Sequence, residues 1–147
     1  MTILLMTILT AFFACNKDEE QEPTTTTEIL YTMPEESEPH EGTWLQWPHQ
    51  YQYGVAYRNG LDATWIAMTQ ALVTSEKVHI IAYNQTEKDR IIALLNTASV
   101  PLTNIDFKIY KTDDVWVRDN GPIYVKDKNG NLVIQDWGFN GWGNKTD

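Results

Sequence analysis

A continuous apolar run at residues 78–83 lies between two segments in which apolar residues recur at helical spacing. Such a run predicts a buried strand. The preceding segment is predicted to be a helix from about residue 62 to 74, with Asp62 as its N-cap. Its apolar residues share one helix face: Leu61, Trp65, Met68 and Leu72. The pattern therefore favours a helix followed by a buried strand.

The other elements follow the same alternation of helix and strand. A short strand at residues 43–47 is predicted to stop at Pro48 and to lead into a polar loop. A second helix begins near Thr86 in a near capping-box pattern and ends by Val100-Pro101. Residues 106–110 alternate as a strand, and Asn129-Gly130 between two apolar runs predicts a hairpin. The order βαβαβ-ββ predicts an α/β domain that is incomplete at the C-terminus.

The amino-terminal residues differ in composition from the rest of the 147-residue chain. Residues 3–13 are apolar but too few to span a membrane, and Ala14-Cys15 is followed by a polar run. This pattern resembles a bacterial lipoprotein signal, in which Cys15 is lipidated and the protein is exported. An ordinary cleaved signal or a frayed apolar tail remains the alternative. Residues 1–15 are thus interpreted as a signal, residues 16–30 as a disordered tether and residues 31–147 as the folded part.

Charge and cysteine content limit the classes of ligand. The net charge of −9 argues against nucleic acid and anionic membranes as partners and is compatible with a cationic substrate. A membrane contact is expected only through the lipid on Cys15. That residue is the one cysteine of the chain, so no internal disulfide and no Cys/His metal cluster can form. No metal is therefore predicted.

The chemically most informative stretch is residues 113–122, in which acidic residues surround Trp116 and Arg118 before a Gly-Pro turn. Alternating valines predict a strand that ends by Pro122, with Asp119 at its end. A carboxylate beside an indole suits a planar cation such as guanidinium, because it accepts two parallel N–H bonds while the ring face attracts the charge. The alternative is a surface ion pair of Arg118 with Asp119, which contributes little to stability.

Three ordered segments of the chain resemble the agmatine deiminase and Porphyromonas-type peptidyl-arginine deiminase family. The resemblance extends over about residues 33–147. Its signatures are Met33-Pro34 with Glu38-Pro39-His40, Thr43-Trp44 and Trp47-Pro48; Trp116-x-Arg118-Asp119-x-Gly121-Pro122; and Asp136-x-x-Phe139-Asn140-x-Trp142-Gly143. The resemblance implies a pentein fold, which is a five-bladed α/β propeller of ββαβ modules, here present in part.

The resemblance also implies hydrolysis of a guanidinium group to a ureido group and ammonia, without a cofactor. Family members use a cysteine thiolate as nucleophile and a histidine to transfer protons. Neither of these downstream residues has a counterpart in this sequence. The chain is therefore expected to be about the first two-fifths of such an enzyme and to be inactive alone.

The family signatures assign roles to individual residues. Asp119 takes the place of a guanidinium-binding carboxylate and is the catalytic candidate, and Trp116 takes the place of the aromatic residue beside the substrate. Arg118 is expected to support the turn, with Asp136 as a further supporting residue. The predicted substrate-binding residues are Trp116, Asp119, Asn140 and Trp142.

The substrate class remains open between agmatine, in polyamine and putrescine synthesis, and arginine in peptides. Gly141 and Gly143 stand where the peptidyl-arginine branch is expected to bind a carboxylate through arginines, so they favour agmatine. An export signal favours an extracellular peptide. A different reading is a lipid-anchored surface module that binds cationic or sugar ligands on exposed tryptophans without catalysis.

Overall fold

The structure is a computed structural model that describes residues 30–145. Cys15, the predicted signal and nearly all of the predicted tether lie outside the described residues, so those interpretations stay predictions. The described part contains two three-stranded sheets, one parallel and one antiparallel. None of the helices within residues 30–145 combines the length and apolar character needed to cross a bilayer.

The parallel sheet has the strand order β2-β3-β4. Its strands are β2 (Gly42–Gln46), β3 (Lys77–Ala82) and β4 (Ile105–Ile109), which confirms the predicted strands. Leu45 pairs with Ile80, and Ile80 pairs with Phe107. The crossovers are α1 (Gln50–Leu72) and α2 (Gln85–Thr97), which confirms the βαβαβ order.

The main core lies between this sheet and its two crossover helices. The alternate β3 residues Val78, Ile80 and Ala82 are fully buried against Ile91 and Leu95 of α2. Burial alternates along β3, so the side chains on its opposite face are only partly buried. On that face His79 stacks on Trp44 with ring centroids 4.6 Å apart, and its Nδ1 lies 3.3 Å from Asp106 Oδ2. The strand is thus buried completely on one face.

The predicted start of the first helix is wrong. Helix α1 begins at Gln50 and has His49, rather than Asp62, as its N-cap. Gly54 has φ 70° and ψ 159°, so the first turn is separated by a kink from the rest of the helix. The sequence there resembles a loop because it contains this glycine and lacks apolar periodicity.

Asp62 lies inside α1 and is buried in a polar network. Its Oδ1 accepts a hydrogen bond from Trp47 Nε1 at 2.9 Å, and its Oδ2 pairs with Arg90 Nη1 at 2.7 Å. Glu87, on α2, accepts from Arg58 Nη1 at 2.7 Å and from Arg90 Nε at 2.8 Å. These charge-assisted bonds join the two crossover helices across the core.

The start of α2 agrees with the prediction to within a residue, although the cap differs. Asn84 is the N-cap, and its side chain accepts a hydrogen bond from the Glu87 amide at 2.9 Å. The helix ends at Thr97, before the predicted stop at Val100-Pro101. Asparagine satisfies a free amide of the first turn as well as serine or threonine does.

The antiparallel sheet has the order β1-β5-β6, with β1 (Tyr31–Thr32), β5 (Ile123–Asp127) and β6 (Leu132–Gln135). The predicted hairpin is confirmed, with Gly130 at φ 82° in its turn. Hydrogen bonds from Asn131, and then from Asn129, hold the pKa of the Asp127 carboxyl below its usual value. A carboxylate that accepts several N–H groups is stabilised in its charged form.

The prediction of a strand that ends by Pro122, with Asp119 at its end, is wrong. Val117–Asn120 forms a single helical turn, α3, in which Gly121 N donates to Val117 O at 2.8 Å. The backbone groups are thus paired locally, and none of the described strands forms a ladder with this segment. A second short turn, α4 (Gly141–Asn144), follows β6. The α/β class is confirmed, whereas the five-bladed propeller stays a prediction, since the described residues form two sheets.

Candidate active site

A cleft of about 450 Å³ lies at the carboxyl end of the parallel sheet. Open α/β sheets commonly bind ligands at this edge, and the volume is in the range of small-molecule sites. Strand residues Gln46 and Ile81 line it, together with residues 110–114 after β4. The remaining lining residues come from the two short helical turns and the residues before α4: Asn120, Phe139, Asn140, Gly141, Trp142 and Asn144.

The structure places Asn140 and Trp142 in this cleft. Trp142 meets Phe139 edge to face, with ring centroids 4.9 Å apart and an interplanar angle of 89°. Asn140 caps α4, because its Oδ1 accepts from Gly143 N at 3.0 Å. These two predicted substrate-binding residues therefore belong to the same surface.

The backbone conformation explains why glycines occur at positions 141 and 143. Gly141 has φ 58° and Gly143 has φ 83°, in the left-handed region that other residues rarely adopt. Trp142 between them also has a positive φ, 52°, which costs a non-glycine residue about 1–3 kcal/mol. Gly141 and Gly143 are thus explained by chain geometry, independently of substrate choice.

The other predicted site residues are not among those that line the cleft. Trp116 is 58% exposed and precedes α3, and Asp119 is an exposed residue of that turn. Asn120, the next residue, lines the cleft. Arg118 Nη2 pairs with Glu36 Oε1 at 3.0 Å, and Asp136 is exposed between β6 and α4. An exposed ion pair such as Arg118–Glu36 contributes about 0–1 kcal/mol to the free energy of unfolding.

Two residues at the start of α1, which the sequence did not indicate, contact residues that line the cleft. The Tyr53 hydroxyl donates to Asp114 Oδ1, and His49 Nε2 lies 2.6 Å from the Thr112 carbonyl oxygen. Burial, and then the Asp114 carboxylate, raise the pKa of Tyr53 well above its usual value. The spacing of His49 and Tyr53 is a helical signal, visible only if α1 is known to begin at Gln50.

A pair of side-chain amides joins β2 to α3. Gln46 Nε2 donates to Asn120 Oδ1 at 3.1 Å, and Asn120 Nδ2 donates to Gln46 Oε1 at 3.4 Å. Gln46 is buried, and its backbone carbonyl oxygen accepts a hydrogen bond from Trp65 Nε1 at 2.8 Å. The end of β2 therefore fixes the turn that contains Asp119.

We expect Asn120→Ala to lower the free energy of unfolding by about 1–3 kcal/mol, because the buried Gln46 amide loses its partner. Urea denaturation measures the change. Asn120→Asp retains the acceptor for Gln46 Nε2 and is expected to lose less stability. Equal losses in the two variants would show that the amide pair is not the cause.

No group of three or more His, Cys, Asp or Glu side chains that could hold a metal ion occurs within residues 30–145. The expectation that the protein works without a cofactor stays a prediction.

Comparison with known proteins identifies the family. The model of the Porphyromonas-type peptidyl-arginine deiminase family matches residues 32–147. An agmatine deiminase of Pseudomonas aeruginosa (strain LESB58) is 38% identical over 117 residues, which are 77% of this chain and 29% of that relative. An agmatine deiminase of Stutzerimonas stutzeri (strain A1501) is 34% identical over 115 residues, which are 78% of this chain and 30% of the relative. The chain thus spans about three-tenths of the length of these curated relatives.

Solved structures agree with this assignment. A C. jejuni agmatine deiminase with substrate bound has a TM-score of 0.67 and 26% identity, covering 80% of this chain and 33% of that one. An agmatine deiminase of Enterococcus faecalis has a TM-score of 0.64 and 26% identity, covering 77% and 29%. The fold is therefore consistent with the predicted pentein type. The chain belongs to the Porphyromonas-type peptidyl-arginine deiminase family.

Proposed function

We propose that this chain is the guanidinium-binding part of a guanidine deiminase that acts on agmatine. The reaction replaces one guanidinium nitrogen with the oxygen of water and yields N-carbamoylputrescine and ammonia. The observation that supports this most directly is the family match over residues 32–147, which include the Trp116-x-Arg118-Asp119 turn. Agmatine is proposed as the substrate because these relatives are named agmatine deiminase.

The turn at α3 suits a guanidinium ion. Asp119 and Trp116 are both exposed, so a ligand reaches them without disturbing the core. The carboxylate can accept two parallel N–H bonds, and the indole face attracts the delocalised charge. In this proposal the Asp119 carboxylate accepts hydrogen bonds from the guanidinium nitrogens, and the Trp116 ring lies against the guanidinium group.

The cleft beside the turn suits the rest of a diamine-like substrate. Asp113 and Asp114 line it together with the aromatic residues Tyr110, Phe139 and Trp142. Agmatine is cationic at both ends, which matches a chain of net charge −9. Peptidyl-arginine is the second candidate, and the description of the family favours it.

The family resemblance implies a cysteine thiolate as the nucleophile, and residues 30–145 contain no cysteine. The one cysteine of the chain is Cys15, which lies in the predicted signal. We therefore infer that residues 1–147 bind the guanidinium group without turnover. Thiol-dependent formation of citrulline or N-carbamoylputrescine by the purified chain would overturn this inference. The proposal that the chain is exported and lipid-anchored through Cys15 is supported by sequence alone.

We expect Asp119→Ala to weaken agmatine binding by about 2–4 kcal/mol, or roughly 30- to 1,000-fold, because a charged hydrogen-bond partner is lost. Isothermal titration calorimetry with agmatine, and with an arginine-containing peptide, measures the effect and ranks the two substrates. Asp89→Ala on α2 removes one negative charge away from the cleft and is expected to bind like the parent.

A different result would favour the binding module without catalysis. That module is expected to bind cations or sugars on its exposed tryptophans and to retain this binding in Asp119→Ala. Unchanged agmatine affinity in Asp119→Ala would therefore contradict the deiminase proposal.

A further inference from the structure

The segment of residues 111–114, here called the cleft wall, lines the cleft and ends two residues before the α3 turn. We propose that His49 and Tyr53 are positioning residues that fix this wall for substrate binding. The identity of the substrate rests on the function proposed above, whereas the positioning itself rests on the contacts of these two side chains.

The backbone of the cleft wall has few bonds of its own. Tyr110 N donates to Ala82 O at 3.1 Å, which ends the pairing of β4. The next described backbone bond begins at Val117 N, which donates to Val115 O at 3.0 Å. Residues 111–114 thus lie between the sheet and α3 outside any helix or strand. Their position depends on side chains that reach them from elsewhere.

His49 fixes the backbone of the wall. His49 is 3% exposed, its Nδ1 accepts from Gln52 N at 3.3 Å, and its Nε2 lies 2.6 Å from Thr112 O. A nitrogen facing an amide N–H must accept, and a nitrogen facing a carbonyl must donate. The two contacts therefore define the tautomer with hydrogen on Nε2. The Tyr83 ring, with its centroid 4.3 Å away, restricts movement of the imidazole.

Tyr53 fixes a side chain of the wall. Its hydroxyl donates to Asp114 Oδ1, and the same oxygen accepts from Val115 N at 2.7 Å. The Tyr53 amide donates to His49 O at 3.2 Å, so both residues belong to one helical turn. This turn contacts the wall at two points, the Thr112 carbonyl and the Asp114 carboxylate. Trp116 follows two residues later, so the same contacts orient the start of the guanidinium-binding turn.

His49 has a second role as the N-cap of α1, and two variants separate the roles. His49→Asn places an amide oxygen near the position of Nδ1, so it retains the cap but does not reach Thr112. His49→Gln places an amide nitrogen near the position of Nε2, so it retains the Thr112 contact but not the cap. If His49 only capped the helix, His49→Gln would be the more damaging change.

Tyr53→Phe removes only the hydroxyl group. Its matched control is Tyr57→Phe. Tyr57 is an exposed residue of the same helix, and its ring stacks on that of Tyr53 with centroids 5.7 Å apart. Hydrogen exchange of the Val115 amide in the full 147-residue chain reports the wall directly. Calorimetry with agmatine reports its effect on the substrate.

We expect Tyr53→Phe and His49→Asn to speed Val115 exchange and to weaken agmatine binding, each by about 3- to 10-fold. His49→Gln and Tyr57→Phe are expected to stay near the parent in both measurements. Unchanged exchange in Tyr53→Phe and His49→Asn would overturn the proposal, and so would faster exchange with unchanged agmatine affinity. If the parent chain does not bind agmatine, the proposed substrate is wrong, and the exchange data alone then decide whether His49 and Tyr53 position the wall.

Discussion

Glu87→Ala is expected to lower the free energy of unfolding by about 3–5 kcal/mol. Glu87 is 2% exposed, and its carboxylate pairs with Arg58 Nη1 and with Arg90 Nε. Its removal leaves the buried Arg58 and the partly buried Arg90 with fewer partners, and Arg90 Nη2 already lacks a hydrogen-bond partner among the described residues. Since a domain of this size is stable by about 5–15 kcal/mol, the variant is expected to be close to unfolding.

Urea denaturation followed by circular dichroism measures this loss. Glu36→Ala is the matched control, because Glu36 pairs with Arg118 at an exposed position, where a salt bridge contributes about 0–1 kcal/mol. Glu87→Gln retains the shape and one acceptor and is expected to lie between the parent and Glu87→Ala. A similar loss in Glu36→Ala and Glu87→Ala would contradict the assignment of the effect to burial.

Trp47→Ala is expected to destabilise the chain by about 3–5 kcal/mol. Trp47 is 1% exposed and belongs to the core cluster between the parallel sheet and its helices. The substitution leaves a cavity and also removes the N–H group that bonds Asp62 Oδ1 at 2.9 Å. Loss of packing is expected to be the larger part, because a neutral hydrogen bond contributes only about 0.5–1.5 kcal/mol.

Trp47→Phe separates the two parts of this effect, since it retains an aromatic ring but not the N–H group. It is expected to lose clearly less stability than Trp47→Ala in chemical denaturation. Trp137→Ala is the control for loss of an indole, because Trp137 is 69% exposed, and a change within about 0.5 kcal/mol is expected. Equal losses in Trp47→Phe and Trp47→Ala would show that the Asp62 bond, rather than the packing, dominates.

The core network and the candidate site are connected through the chain. Trp47 and Pro48 are buried directly before His49, the N-cap of α1. The packing of Trp47 and its bond to Asp62 therefore define where α1 begins. That start places His49 and Tyr53 against the cleft wall, so damage to the core is also expected to disturb the cleft.

The sequence by itself determined the elements whose signals are local. Strand β3 follows from its apolar run, α2 from helical spacing and a polar first turn, and the β5-β6 hairpin from Asn129-Gly130. Each depends on residues only a few positions apart, which is the range over which periodicity and turn chemistry act. The three ordered signatures were likewise sufficient to indicate the family.

Only the tertiary structure decided the start of α1, the helical turn at α3 and the composition of the cleft. The decisive hydrogen bonds join His49 to Thr112, Tyr53 to Asp114 and Gln46 to Asn120, over separations of 63, 61 and 74 residues. Contacts between such distant residues leave no local pattern in the sequence. At α1 the local pattern even opposes the outcome, because Gly54 interrupts the helix there. Long-range side-chain hydrogen bonds and burial override local propensity at these positions, and the cleft is formed from them.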